Sequence, residues 1–205
     1  MLTFDHDSHR YWWNGDPVPS VTQVLSILTD FEMVEKFNPG AVAYASVRGD
    51  AVHYACELYD KGTLDWSTLD DELKPYLDAW ILFRKQTGFI PNRIEHKVFH
   101  PNLRYAGTLD RTGILFDNHV VIDIKAVAAI YPTTGPQLAA YEAAIKATEP
   151  NGPASYGRYS VQLHPDGKYK LHHYENRADL SVFISSLTLL NWANTNKQRI
   201  SYEPA

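Results

Sequence analysis

With 205 residues, 44% of them hydrophobic and 21% charged, the chain has the size and balance of one ordinary globular domain with a proper core. Its net charge of −5 excludes a uniformly basic, histone-like nucleic-acid coat, yet leaves room for a local basic patch beside an acidic site that lowers the sum. A single cysteine, Cys56, excludes an intrachain disulfide and any cysteine-ligated zinc or iron–sulfur cluster.

The chain opens on MLTFDHDSHRYWW, which lacks the apolar segment of a signal peptide, and no later run approaches membrane-spanning length. The expected location is therefore a reducing cytoplasm. HRYWWNGDPVP places aromatic residues ahead of Asn14-Gly15, a strong turn signal, and predicts a small hairpin. Ser20 with Gln23 three residues on forms a capping-box pattern that opens a helix over SVTQVLSIL. Further helices are predicted over roughly 41–59 and 69–87, the second with Pro75 as a break.

From Arg93 the period changes. RIEHKVFH, LRYAGTLDRTGILF and HVVIDIKAV are short and rich in β-branched and aromatic residues, with Asp117-Asn118 dividing the last two. A helix follows over TGPQLAAYEAAIKAT. Strands follow over ASYGRYSVQLH and KYKLHHYE around the Asp166-Gly167 turn, then a last helix over RADLSVFISSLTLLNWANTNKQ. This order predicts an α/β (α+β) architecture, a mixed sheet flanked by helices. One domain spans 1–205, with the hairpin and first helices in 1–90 and the sheet with its later helices in 91–205.

VVIDIKA carries a carboxylate where an apolar strand should not have one. Residues i and i+2 of a strand share a face, so Asp123 and Lys125 point one way while Ile122 and Ile124 point into the core. Asp110 ends the preceding strand segment, and the short connection makes the two strands antiparallel neighbours whose carboxylates converge. Such convergence is costly without a cation between them. Oxygen ligands of this kind suit Mg2+ or Mn2+, one or two ions. A divalent ion activates water and offsets charge developing on a phosphate, and an adjacent ammonium stabilises the transition state, which is what phosphodiester hydrolysis requires. The plain alternative is a surface Asp–Lys pair on an edge strand. Gln137 and Tyr141, four apart, share the helix face that follows, where they could hold the lysine or a phosphate; alternatively Tyr141 is core and Gln137 is solvated. His53 and Glu57 share a face of the second helix, with Arg48 a turn or more earlier. His53 is a candidate metal ligand, although lone helical histidines are more often structural.

Taken together, PVPSVTQVLS, RGDAVH, GTLD, VIDIK and QLAAY, in that order over roughly residues 10–145, resemble the PD-(D/E)xK nuclease superfamily, in particular its RecB-like and phage-type exonuclease group. The resemblance implies a restriction-endonuclease-like mixed sheet flanked by helices and metal-dependent hydrolysis of DNA, in a setting of phage-type recombination or processing. It implies His53, Asp110, Asp123 and the main-chain carbonyl of Ile124 as metal ligands, Lys125 as the catalytic lysine, and Gln137 and Tyr141 as the supporting pair. Arg48 is assigned a phosphate contact, and Glu57 and Glu95 a part in holding a second ion. The cysteine cluster of the Cas4-like branch and the ATP-binding motif of the helicase–nucleases are both missing from this chain, so a compact stand-alone nuclease is expected.

Arg93, Lys97, Arg104 and Arg111 are the candidate DNA contacts, with Trp12 and Trp13 as base-stacking candidates or, more simply, covers for a core edge. A single-stranded-DNA-binding protein or an annealing recombinase is an expected partner, in the host cytoplasm if the chain is phage-encoded. Three alternatives stand beside the exonuclease: a structure-selective endonuclease on the same site, a catalytically silent DNA-binding scaffold, and, more remotely, a glycosidase with paired carboxylates.

Overall fold

A computed structural model describes residues 1–5, 8–28 and 39–196. A three-stranded antiparallel sheet comes first: β1 (Leu2–Asp5), β2 (Arg10–Trp13) and β3 (Asp16–Val18). Asn14 and Gly15 turn β2 into β3 with φ of 51° and 91°, the pair of positive values a two-residue hairpin of matching twist demands. Trp13 stacks on Phe99 with ring centroids 4.1 Å apart, and Tyr11, Val18, Phe99 and Ala106 bury one another beneath it. Trp13 thus covers a core edge instead of offering a platform for bases.

Ser20 caps α1 (Val21–Leu25) by the expected box, its hydroxyl accepting the Gln23 N–H while the Gln23 side chain accepts the Ser20 N–H. Next come α2 (Pro39–Lys61) and α3 (Lys74–Thr87). Pro75 does not break α3 but starts it. A proline is tolerated in the first turn, where its missing N–H would have no partner, and the stretch before it holds only a 3-10 turn over Trp66–Thr68.

The main sheet follows in the order β4 (Ile90–His100), β5 (Tyr105–Leu115), β6 (Asn118–Lys125), β7 (Gly157–Leu163) and β8 (Tyr169–His173). Only β6 and β7 run parallel, and α4 (Thr134–Thr148) makes the crossover between them. The last element described is α5 (Asp179–Asn196). The sheet is covered on both faces. On one, Ile122 and Ile124 pack with Val52, Leu77, Trp80 and Phe83 of α2 and α3; on the other, Leu109 and Val121 pack with Val24, Leu138 and Phe183 of α1, α4 and α5. This is the helix-flanked mixed sheet expected. Among the described residues no helix is long and apolar enough to cross a membrane.

Candidate active site

Strand alternation builds the site. Ile122 and Ile124 are fully buried on the α2–α3 side, so Asp123 and Lys125 point the other way, toward α4. The antiparallel register runs to Arg111–Ile122, and one step further sets Asp110 opposite Asp123. There the Asp110 carboxylate substitutes for the ladder: its Oδ2 accepts the Ile124 N–H at 2.6 Å. A strand residue's N–H and C=O point to the same edge, so the Ile124 carbonyl also faces β5, beyond the end of that ladder.

Asp123 is 2% exposed. Its Oδ1 accepts from Lys125 Nζ at 2.9 Å and from Gln137 Nε2 at 3.0 Å, while its Oδ2, equally buried, has no hydrogen-bond partner among the described residues. Lys125 also donates to Gln137 Oε1 at 3.3 Å, and the Gln137 amide reaches Tyr141 Oη at 3.4 Å. Gln137 therefore holds the lysine and the aspartate in one geometry, while Tyr141, buried in the core, reaches only Gln137. Gly107 of GTLD makes room for it: a Cβ there would lie 2.7 Å from Tyr141 Cε1.

From α2, His53 Nδ1 comes within 3.5 Å of Asp110 Oδ2. His53, Asp110 and Glu95 can bring one ligand atom each within 4.8 Å of one another. Glu95 is thus a principal member of the cluster, where the sequence offered it only as an auxiliary. It stands on β4 opposite Asp110, between the pairs Ile94–Arg111 and His96–Leu109, with φ of 48°. A left-handed non-glycine residue inside a strand costs about 1–2 kcal/mol. Glu57 also lines the cleft, but its carboxylate is engaged by Lys61.

These groups perturb one another. Burial pushes the Glu95 carboxyl up to about 7, helped by the Asp110 charge and opposed by His53 and Arg111. Burial likewise raises Asp123 to about 6, against the pull of Lys125 and with the push of Asp110. For Lys125 burial acts downward, but the attraction of Asp123 and Asp110 outweighs it, and the ammonium is held above its ordinary value. The cluster of His53, Glu95 and Asp110, two carboxylates and one imidazole, suits a divalent cation, whereas Asp123, with its bare Oδ2, is not one of its three members.

The cleft that contains them has a volume of about 760 Å3 and runs between the α2 face carrying Asp50, His53 and Tyr54 and a wall of Phe4, Tyr11 and Lys97. The arginines assigned to DNA each have partners within the protein. Arg111 is completely buried, its guanidinium on Asp60, because the helices α2 and α3 close over that face. Arg48 lies over the rings of Tyr44 and Tyr76 and donates to the Ala126 carbonyl at 3.3 Å, joining α2 to the segment after β6. Arg93 is engaged by Glu149 at 2.8 Å and Arg104 by Asp16 at 3.1 Å, whereas Lys97 stays at the cleft.

No family model matches the sequence, and no curated protein matches it. Among solved structures the chain is similar to LHK-Exo in complex with dAMP, at 13% identity and a TM-score of 0.46, over 89% of this chain and 91% of that one. It is also similar to an alkaline exonuclease, LHK-Exo, from Laribacter hongkongensis, at 14% identity and a TM-score of 0.41, over 89% and 94% of the two chains. These are distant likenesses, and what the cleft can do follows from its own side chains.

Proposed function

We propose that the chain is a single-domain PD-(D/E)xK-type deoxyribonuclease that depends on Mg2+ or Mn2+ and removes nucleotides from DNA ends, in DNA recombination or processing of the phage type. The observation that carries this reading is the Asp123 carboxylate, buried, with one oxygen spent on Lys125 and Gln137 and the other bare. A buried unpaired carboxylate oxygen is expensive, and a cation is the partner that removes the cost.

His53, Glu95 and Asp110 would hold the ion, with the bare oxygen of Asp123 and the Ile124 carbonyl completing the set. When bound, it would supply Lewis acidity toward the scissile phosphate and make a water more acidic. In the metal-free chain the charges of Asp123 and Asp110 hold the Lys125 ammonium above its usual value. Its role would be to orient the attacking water and to offset negative charge on the phosphate oxygens. Gln137 fixes that ammonium at a set distance from Asp123, and Tyr141 backs Gln137. Lys97 and Phe4, which line the cleft, would meet the DNA strand.

The test is incubation of the purified protein with linear and covalently closed duplex DNA in Mg2+, Mn2+ or EDTA, alongside Asp123→Ala. The expected result is metal-dependent loss of linear DNA alone, abolished by the substitution. Cleavage of circles would make the enzyme an endonuclease. Binding without cleavage of either substrate would leave a scaffold.

A further inference from the structure

Arg111 is a fully buried cation one residue from a candidate metal ligand, and its guanidinium is divided between two jobs. Nε donates to Asp60 Oδ2 at 2.7 Å. Nη1 donates both to Glu95 Oε1 at 2.9 Å and to the main-chain carbonyl of Asp110 at 2.7 Å. The cross-strand ladder skips the Glu95–Asp110 pair, so the side chain of Arg111 ties together the two strands where the backbone pairing omits them. Asp60, whose side chain has no exposure, is anchored in turn by Arg84 Nη1 at 2.7 Å and Trp80 Nε1 at 3.0 Å. Asp60 and His53 lie seven residues apart on α2, on one face, so the helix that brings His53 to the cluster also holds the guanidinium that brings Glu95.

We infer that Arg111, held by Asp60, is a positioning residue that fixes the Glu95 carboxylate and the Asp110 main chain for a divalent cation. The inference rests on the metal-site reading above. An arginine suits the task because its planar fork reaches an anchor and two acceptors at once; a lysine keeps the charge but cannot span all three. Buried charge alone would survive Arg111→Lys, whereas positioning would not.

Mn2+ binding to the full chain, followed by loss of the free-ion EPR signal, separates these roles, with urea unfolding in the absence of metal as the measure of folding. Arg111→Lys is expected to weaken Mn2+ binding about 10- to 100-fold, the usual effect of removing a group that orients a ligand. Arg84→Lys, which alters only the far side of Asp60, should bind as the parent does. In a Glu95→Gln background the Arg111→Lys effect should shrink, because only the part exerted through the Asp110 main chain remains. A folded Arg111→Lys with parental Mn2+ affinity would overturn the inference, as would an equal loss in both backgrounds. If Arg111→Lys does not fold, Asp60→Asn takes its place: it keeps the shape of the anchor, and parental affinity there would equally sink the idea. A parent chain that binds no Mn2+ would remove the metal site itself, which is a different failure.

Discussion

The side chains of Asp60 and Asp123 are both almost wholly withdrawn from water, and the protein treats them in opposite ways. Both oxygens of Asp60 are occupied, Oδ1 by Arg84 and Trp80 and Oδ2 by Arg111. Asp123 has one oxygen occupied by Lys125 and Gln137 and one left bare. A carboxylate that serves structure is neutralised by the fold. A carboxylate kept for a cation from solution is left short of partners, and burial raises its proton affinity. Asp60 belongs to the junction of α2, α3 and β5, and Asp123 to the cleft, so stability and function are separated by little more than the thickness of the sheet.

Substitution should split the pair cleanly. Asp123→Ala should lower the rate of DNA hydrolysis by about 10^3-fold or more, roughly 4 kcal/mol of barrier, while leaving the urea midpoint of the metal-free chain nearly unchanged. Asp60→Ala should instead destabilise the fold by about 3–5 kcal/mol, since it takes the shared carboxylate from Arg111 and Arg84 and leaves the buried Arg111 guanidinium with Glu95 alone. Equal loss of stability in both would erase the contrast.

Acidity sharpens it. The Glu95 carboxyl is raised in the folded chain to about 7, from 4.5 in a free glutamate, chiefly by burial. The native state therefore keeps its proton through a window in which the unfolded chain has released it. Stability of the metal-free protein should be greatest at the acid end of that window and fall as pH rises from about 4.5 through 7, by about 1–3 kcal/mol for this group. Asp123 contributes the same sign over its own narrower range. Glu95→Gln should flatten much of the slope, and added Mn2+ should reverse it in the parent; urea titrations at several pH values measure both. A metal-free stability that rises with pH across this range would contradict the described electrostatics.

The smallest expected effect is at Gly107. Gly107→Ala drives a methyl group against the Tyr141 ring, costing about 1–2 kcal/mol. By moving Tyr141 off Gln137 it should also lower the turnover rate several-fold with little change in metal affinity. Steady-state kinetics beside a Mn2+ titration would show whether the α4 pair acts on Lys125 alone.

Much of the site was legible because it depends on local periods. The two-residue repeat of VVIDIK sets Asp123 and Lys125 on one face, the four-residue spacing does the same for Gln137 and Tyr141, and the short β5–β6 connection brings Asp110 across. Glu95 was only faintly visible, since its value comes from pairing β4 with β5 and from a left-handed backbone that no residue type at that position announces. Arg111 was misassigned for a related reason. A cation in a strand or helix has the same sequence signature whether it meets solvent or is covered by another element.

The sequence by itself determined the order of the elements, the alternation that separates core from cleft along β6, and the residue types fit for a divalent cation, because those follow from backbone periodicity and side-chain chemistry. Only the tertiary structure decided which carboxylates meet, which cations are buried and which oxygen is left without a partner. Those depend on contacts between α2, α3 and β5 that are distant in sequence, where burial turns an ordinary aspartate into either a saturated anchor or an open ligand.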